Sequence, residues 1–499
     1  MKPMGTITKY YPFIDEEIKS ILNSLMDESS SYYDFVLRLS CAVLENEVSV
    51  DLAYISAVHA WWTRTEENMK LIQEKYRDVP CVRPWAYSHT TGEGDQAEYH
   101  DAVVEAIDKA MEKSLDDWML TELHLLHTFY HWPLFGDTPS LLEPLEKAKD
   151  LIESNPLLKC FEPLLCAFEG MPNYREGSLK DAIIIFQRGQ DLAESLDDSL
   201  FKYMNLLNKA HFLSNFNISE SLDCYEELHE LVQELEVPYL LAEILNDFAI
   251  AYETAGEYDL AISSHLESIE IFGLNETSCQ LLSRIYATLG DGKQALEWAN
   301  IGFEYAGDLE IPTSYYRKVS ALALLNRVDE AERYLEAAHS MILKSGSETR
   351  LGSYYRASGE LELARGDYLA AIDYIGKTQE ISERFQSCLG QNLTLLNLVK
   401  AELLLAKQST EGMVRYAPGK WLSKLENHAI DHDLPGVRMY AALFKSEFYQ
   451  NQGLLRDALG TLRQALEITD SPGVKTLRRK ITKRIQELDQ LILDEELMS

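Results

Sequence analysis

Positive charge is scarce in this chain. Its 499 residues include 46 lysines and arginines against 81 aspartates and glutamates, a formal net charge of −35. Binding to phosphate backbones draws its affinity from Lys and Arg, so this balance argues against a nucleic-acid partner. It argues equally against an anionic membrane surface, and on net charge alone it favours a basic protein partner. Long apolar runs are lacking too. The best, LTLLNLV followed by AELLLA, is broken by Lys400 and Glu402, short of the roughly 18 uncharged residues that a span needs. The segment MKPMGTITKYYPFIDEE has no apolar stretch of the secretory kind. Cysteines are few and unpaired in pattern: Cys41, Cys81, Cys160, Cys166, Cys224, Cys279 and Cys388, with no CxxC. That suits reduced thiols better than a disulfide framework or a zinc site. These absences lead to the expectation of a cytoplasmic chain with no membrane and no nucleic-acid partner. Catalytic motifs are missing as well: no P-loop, GxSxG, GxGxxG or kinase set occurs. GDGKQA at 290–295 holds Gly-Lys but lacks the preceding strand and the spaced glycine. The chain is expected to be no enzyme and to need no cofactor.

What is present is a repeat. The stretch AGEYDLA contains Gly256-x-Tyr258-x-x-Ala261. The same spacing returns at Gly290/Gly292/Ala295, Asn326/Val328/Ala331 and Gly366/Tyr368/Ala371, and further out at Gly177/Leu179/Ala182 and Gly453/Leu455/Ala458. From 261 to 371 the alanines lie 34, 36 and 40 residues apart. Intervals of 79 and 87 on either side leave room for two units each, and Ser221 stands where one alanine belongs. Periods of this size signal stacked supersecondary units. Helical apolar spacing precedes each glycine, as in Leu245, Phe248, Ala249 and Tyr252, and a second helix follows each alanine, as in AISSHLESIEIF. The glycine ends the first helix in a left-handed conformation. The alanine admits close approach of the second. With 46% hydrophobic residues the stacked hairpins can bury a continuous core.

These residues resemble the tetratricopeptide repeat family. Phe248, Ala249, Tyr252, Ala261 and Ser268 match its motif in one unit, and Leu282, Ser283, Tyr286, Gly290, Ala295 and Gly302 match it in the next. The match is looser at 312–345, where Asn326 replaces glycine, and at 350–385, where Glu362 takes an aromatic position. The long repeats are similar to the longer-helix branch of bacterial activators and peptide sensors. The resemblance implies an all-α, right-handed superhelical solenoid of antiparallel helix hairpins with a helical N-terminal region. It also implies ligand-binding positions on the first helix of each unit. Carried onto this sequence, these are Glu243, Asn246, Ile250, Glu253 and Thr254; Thr277, Gln280, Arg284 and Thr288; Tyr316 and Ser320; Ser353, Arg356 and Glu360. Of these, Asn246, Glu253, Gln280, Arg284, Tyr316, Arg356 and Glu360 are the candidate partner-binding residues. They do not repeat the Lys, Asn and Arg clamp by which the family's chaperone-tail binders hold a terminal carboxylate. The function implied is a non-enzymatic interaction scaffold holding a peptide or protein segment in a concave groove. A peptide or metabolite sensor is the alternative.

Along the chain, helices are expected at 13–27, 31–46, 50–76, 95–114 and 116–131. Loops are expected at 77–95, 131–139 and 408–420, a degenerate repeat at 387–434, and a final helix after Ser471-Pro472-Gly473. The domains expected are a helical region 1–120, a repeat array 121–470 and a capping helix 471–499. The ends of such arrays often pair, so a homo-oligomer is possible.

Three side-chain clusters remain. His124, His127 and His131 share one helical face. They could ligate a metal with His89 or His100, giving a metal-binding or metal-dependent enzyme as a further alternative, but no HExxH accompanies them and a packing face is the commoner explanation. Asp223, Glu226, Glu227, Glu230 and Glu234 form an acidic stripe, read as a solvated face. Lys475, Arg478, Arg479, Lys480, Lys483 and Arg484 form a basic island, read as pairing with the acidic body or with residues 494–496.

Overall fold

The computed structural model describes residues 14–63, 66–76, 79–82, 84–85, 96–113, 115–131, 138–171, 179–306, 311–345, 348–410 and 419–498. Among them every regular element is a helix, and most helices adjacent in sequence pack against each other. Contacts divide the chain into two compact units: Met1–Phe212 with Asp223–Ile244, and Leu213–Leu222 with Leu245–Ser499.

In the first unit the helices are α1 (Glu16–Glu28), α2 (Tyr32–Glu45), α3 (Val50–Thr63), α4 (Glu66–Lys75), α5 (Gln96–Met111), α6 (Asp117–His131), α7 (Thr138–Ser154), α8 (Glu162–Glu169) and α9 (Leu179–Leu196). Then α10 (Ser199–Leu213), α11 (Ile218–Leu235) and α12 (Pro238–Ala255) carry the chain across the division. Helix α3 is buried along nearly its whole length, including Ser56 and His59. Its apolar residues do not keep to one stripe, as expected of a helix enclosed on all sides. The buried His59 answers the Tyr32 hydroxyl at 2.8 Å. Burial pushes its imidazole down to about 4, so it stays neutral. The expected boundary at 120 falls inside α6, which packs against both α5 and α7.

The second unit continues with α13 (Tyr258–Phe272), α14 (Glu276–Leu289), α15 (Gly292–Glu304), α16 (Ile311–Leu324), α17 (Val328–Ser345), α18 (Glu348–Arg365), α19 (Tyr368–Arg384), α20 (Cys388–Thr410), α21 (Lys420–Asp431), α22 (Pro435–Asn451), α23 (Leu455–Ala465) and α24 (Lys475–Met498). Its hairpins follow from turn chemistry. Gly290 adopts φ 84° and ψ 11° and closes α14, and Asp291 then caps α15 by accepting from the Gln294 amide at 3.1 Å. Asn326 holds the same left-handed conformation at φ 56°, which is why asparagine can stand for glycine there. Ala182, Ala261, Ala295, Ala331, Ala371 and Ala458 are all fully buried, so no side chain holds the paired helices apart.

The hairpins form two layers. Helices α14, α16, α18, α20, α22 and α24 touch in succession and make the inner one. Helices α15, α17, α19, α21 and α23 lie outside them. One layer of core shows the logic: Tyr316, Val319 and Leu322 of α16 pack with Ala331, Leu335 and Ala338 of α17 and with Ala357 and Leu361 of α18. The unit also closes on itself. Thr476 donates its amide and its hydroxyl to Asp259 at 2.8 and 2.5 Å. Asn392 Nδ2 donates to the Thr254 carbonyl at 2.8 Å, and the Tyr258 and Tyr440 rings meet edge to face at 5.7 Å. Helix α24 belongs to the second unit.

Two glycines with nearly the same backbone should respond differently to substitution. A Cβ on Gly256 would lie 2.6 Å from the Val437 amide nitrogen and 2.7 Å from the Gly436 carbonyl carbon, whereas one on Gly290 would meet nothing within 4 Å. Gly290→Ala is expected to cost only the left-handed penalty of about 1–2 kcal/mol. Gly256→Ala should cost that and also force apart two backbones separated by 180 residues. Urea unfolding of both variants measures this; equal losses would contradict the closure.

Candidate functional site

The inner layer lines a partly open cavity of about 460 Å³. Helix α14 contributes Arg284 and Thr288, α16 Arg317 and Ser320, α18 Arg356 and Glu360, α20 Asn397 and Lys400, α22 Tyr440 and Phe444, and α24 Lys480. Helical spacing puts them there. On α16, residues 317, 320 and 324 share one face, and on α18 residues 356, 360 and 363 do. Between the polar groups the wall is apolar, with Leu393, Leu396, Leu403 and Leu443.

The charges in this wall are unevenly matched. Arg284 forks onto Glu253, Nε to Oε1 at 2.8 Å and Nη2 to Oε2 at 2.6 Å. Glu253 is fully buried, so a charge-assisted bidentate pair is what allows it there. Glu360 accepts from the Ser320 hydroxyl and from Asn397 Nδ2, the latter at 3.0 Å. Both of those donors are neutral. Among the described residues, Arg317, Arg356 and Lys400 form no hydrogen bond or ion pair. Arg317 is 8% exposed and its Nε has no partner. Burial, with Arg356 and Arg284 adding to it, pushes the Arg317 guanidinium well below its ordinary range, while Glu253 and Glu360 pull it back. Burial and Arg284 likewise depress Arg356, opposed by Glu360 and Glu253. Burial lowers Lys400 against the pull of Glu360.

Of the residues that the repeat register marked, the structure brings Arg284, Thr288, Ser320, Arg356 and Glu360 to the cavity, with Glu253 directly behind Arg284. The others lie elsewhere. Asn246 Oδ1 takes His265 Nδ1 at 2.8 Å and the Ser278 hydroxyl at 2.9 Å, inside the packing of α12, α13 and α14. Gln280 is buried and donates to Ser314 at 2.8 Å and to Glu276. Tyr316 is core, and its neighbour Arg317 takes the cavity face instead. A shift of one residue turns a helix by about 100°, which is how the register passed over Arg317. It passed over Lys400 because α20 bears no glycine turn to count from.

The remaining clusters are simpler. His124 is depressed to about 4, chiefly by burial with Lys147 adding, and His127 Nε2 lies 3.8 Å from Asp108. The side chain of His131, and those of His89 and His100, fall outside the described residues. Among the described residues no group of His, Cys, Asp and Glu has metal-holding geometry. The acidic stripe on α11 is mostly exposed, with Glu227 salt-bridged to Lys202 at 2.8 Å. In the basic island Arg484 pairs with Glu487 at 2.6 Å, and Arg478 donates to the Leu466 carbonyl at 2.8 Å. No described helix is long and apolar enough to cross a membrane.

Glu253 should matter more to stability than its partner. Glu253→Gln leaves Arg284 beside two further guanidinium groups with one fewer counter-charge, and removing one member of a buried pair costs about 3–5 kcal/mol. Arg284→Met should cost less, because Arg317 and Arg356 can turn to the freed carboxylate. Chemical denaturation of the two variants checks the order, and the reverse order would contradict this charge balance.

No family model matches this chain, and no curated protein does. Among solved structures, a Rap protein complexed with competence and sporulation factor aligns with a TM-score of 0.40 and 13% identity, covering 67% of this chain and 99% of that one. Yeast Tom70 aligns with a TM-score of 0.36 and 10% identity, covering 86% and 100%. Nothing about the cavity follows from likenesses this loose.

Proposed function

We propose that this chain is a non-enzymatic binding protein, and that a peptide or protein segment is held in the cavity of its second unit. The observation that carries the proposal is convergence: five successive first helices and α24 all place polar side chains on one recessed space. Ligand sites of this size have apolar walls with a few placed polar groups, and these walls have that composition. The space admits a few residues of a chain rather than a folded domain. The receptor side is already formed, so little of its entropy is lost on binding. The net charge of −35 had favoured a basic partner, but the cavity is lined by a surplus of cations.

A photo-crosslinking residue in place of Phe444, in the cavity wall, compared with one at Ile184, 66% exposed in the first unit, tests this in the native source. Crosslinks to a discrete segment are expected from position 444 and not from 184. Equal capture at both, or none at 444, would contradict the proposal.

A further inference from the structure

We infer that Arg317, flanked by Arg284 and Arg356 in a cavity wall that also holds Lys400, is the seat of a doubly charged oxyanion group on the ligand, either a phosphate or a pair of carboxylates. The inference rests on the cavity being a ligand site.

Leaving aside two exposed lysines of the wall, Lys407, which pairs with Glu447 at 3.5 Å, and Lys480, four cations, Arg284, Arg317, Arg356 and Lys400, have two carboxylates near them, Glu360 in the wall and Glu253 behind Arg284. Subtracting two from four leaves two positive charges without a counter-ion. Glu253 is saturated by the fork from Arg284, and Glu360 is turned to Ser320 and Asn397. Arg317 is more than nine-tenths buried, lines the cavity and has an unpartnered Nε. A guanidinium keeps its proton in proteins, so burial cannot be relieved by neutralisation as it can for a lysine. Buried polar groups left unpaired in a native interior call for an explanation, and a stable core would use an apolar side chain here at less cost. The planar fork matches carboxylate or phosphate oxygens two at a time. The neighbouring hydroxyls offer little else: Ser283 is spent on the Ala295 carbonyl at 2.8 Å and Thr288 on that of Arg284 at 3.0 Å. The apolar remainder of the wall lowers the local dielectric, which strengthens each contact to the anion, and leaves room for an apolar body attached to it.

The experiment is thermal unfolding of the full chain with inorganic phosphate, succinate or acetate at fixed ionic strength. Phosphate or succinate should raise the midpoint saturably, and singly charged acetate should do much less. A stronger response to phosphate identifies a phosphorylated ligand, and a stronger response to succinate identifies paired carboxylates. Arg317→Met should melt no lower than the parent without added anion, and its apparent Kd for the better probe should be about tenfold weaker or worse. Arg317→Lys should recover part of the affinity. If Arg317→Met does not fold, Lys400→Met carries the same test. No saturable response to either dianion, or a response unchanged in both variants, would overturn the inference. If the anions fail while crosslinks from position 444 still find a segment, only the charge of the ligand has been misread. If the anions bind and no segment is found, the seat stands and the segment proposal falls.

Discussion

Each hairpin of the repeat depends on two helices coming close enough for backbones to face each other across a single methyl group. Ala261, Ala295, Ala331, Ala371 and Ala458 are those methyl groups in the second unit, and none is reached by solvent. Close approach of the outer helix fixes the tilt of the inner one. The inner helices, fixed in turn, bring their first-helix faces to a common space. The closure between 254–259 and the segments near 392, 436 and 476 then converts what an open stack would leave as a groove into a walled cavity. Geometry set by small residues thus decides where the large charged ones end up.

The charge distribution works on two scales. The chain as a whole is strongly acidic, and its field reaches only about 8 Å into physiological salt. Inside the cavity the screening is weaker and the sign is opposite. An anion approaching from solution meets mild repulsion, and once inside it meets guanidinium groups that nothing else satisfies. Such an arrangement costs stability without a ligand and favours the bound state. A balance of that kind is expected of a binding site rather than of a core.

Much of this architecture was legible in the residues themselves. Glycine at 256, 290, 366 and 453 marked hairpin ends, and each sits at positive φ. Hairpin ends without glycine left no mark: Asp197, Glu236, Gln386 and Asp433 adopt the same left-handed backbone, and local turn propensity could not single them out. The unit divisions were not legible, because Tyr54, Trp61, Trp85 and Trp118 cluster through contacts distant in sequence. The site was half legible. Counting back from a glycine turn reached Arg284, Thr288, Ser320, Arg356 and Glu360. It missed Arg317, where Tyr316 is drawn into the core and rotates the face by one residue, and it selected Asn246 and Gln280, whose hydrogen bonds tie helices together. Repeat registers place backbones well; which flank of a helix faces inward depends on its neighbours.

The proposed anion seat requires that Arg317 stand uncompensated until an anion arrives. The most direct measurement is the side-chain NMR signal of its guanidinium, followed through Nε–Hε as phosphate is added. Rapid exchange with solvent is expected at first, then a downfield shift and slowed exchange that saturate together, while the exposed Arg333 stays unchanged. A signal already shifted and protected in the free protein, and indifferent to phosphate, would mean that Arg317 has a partner within the chain, and the account would be wrong.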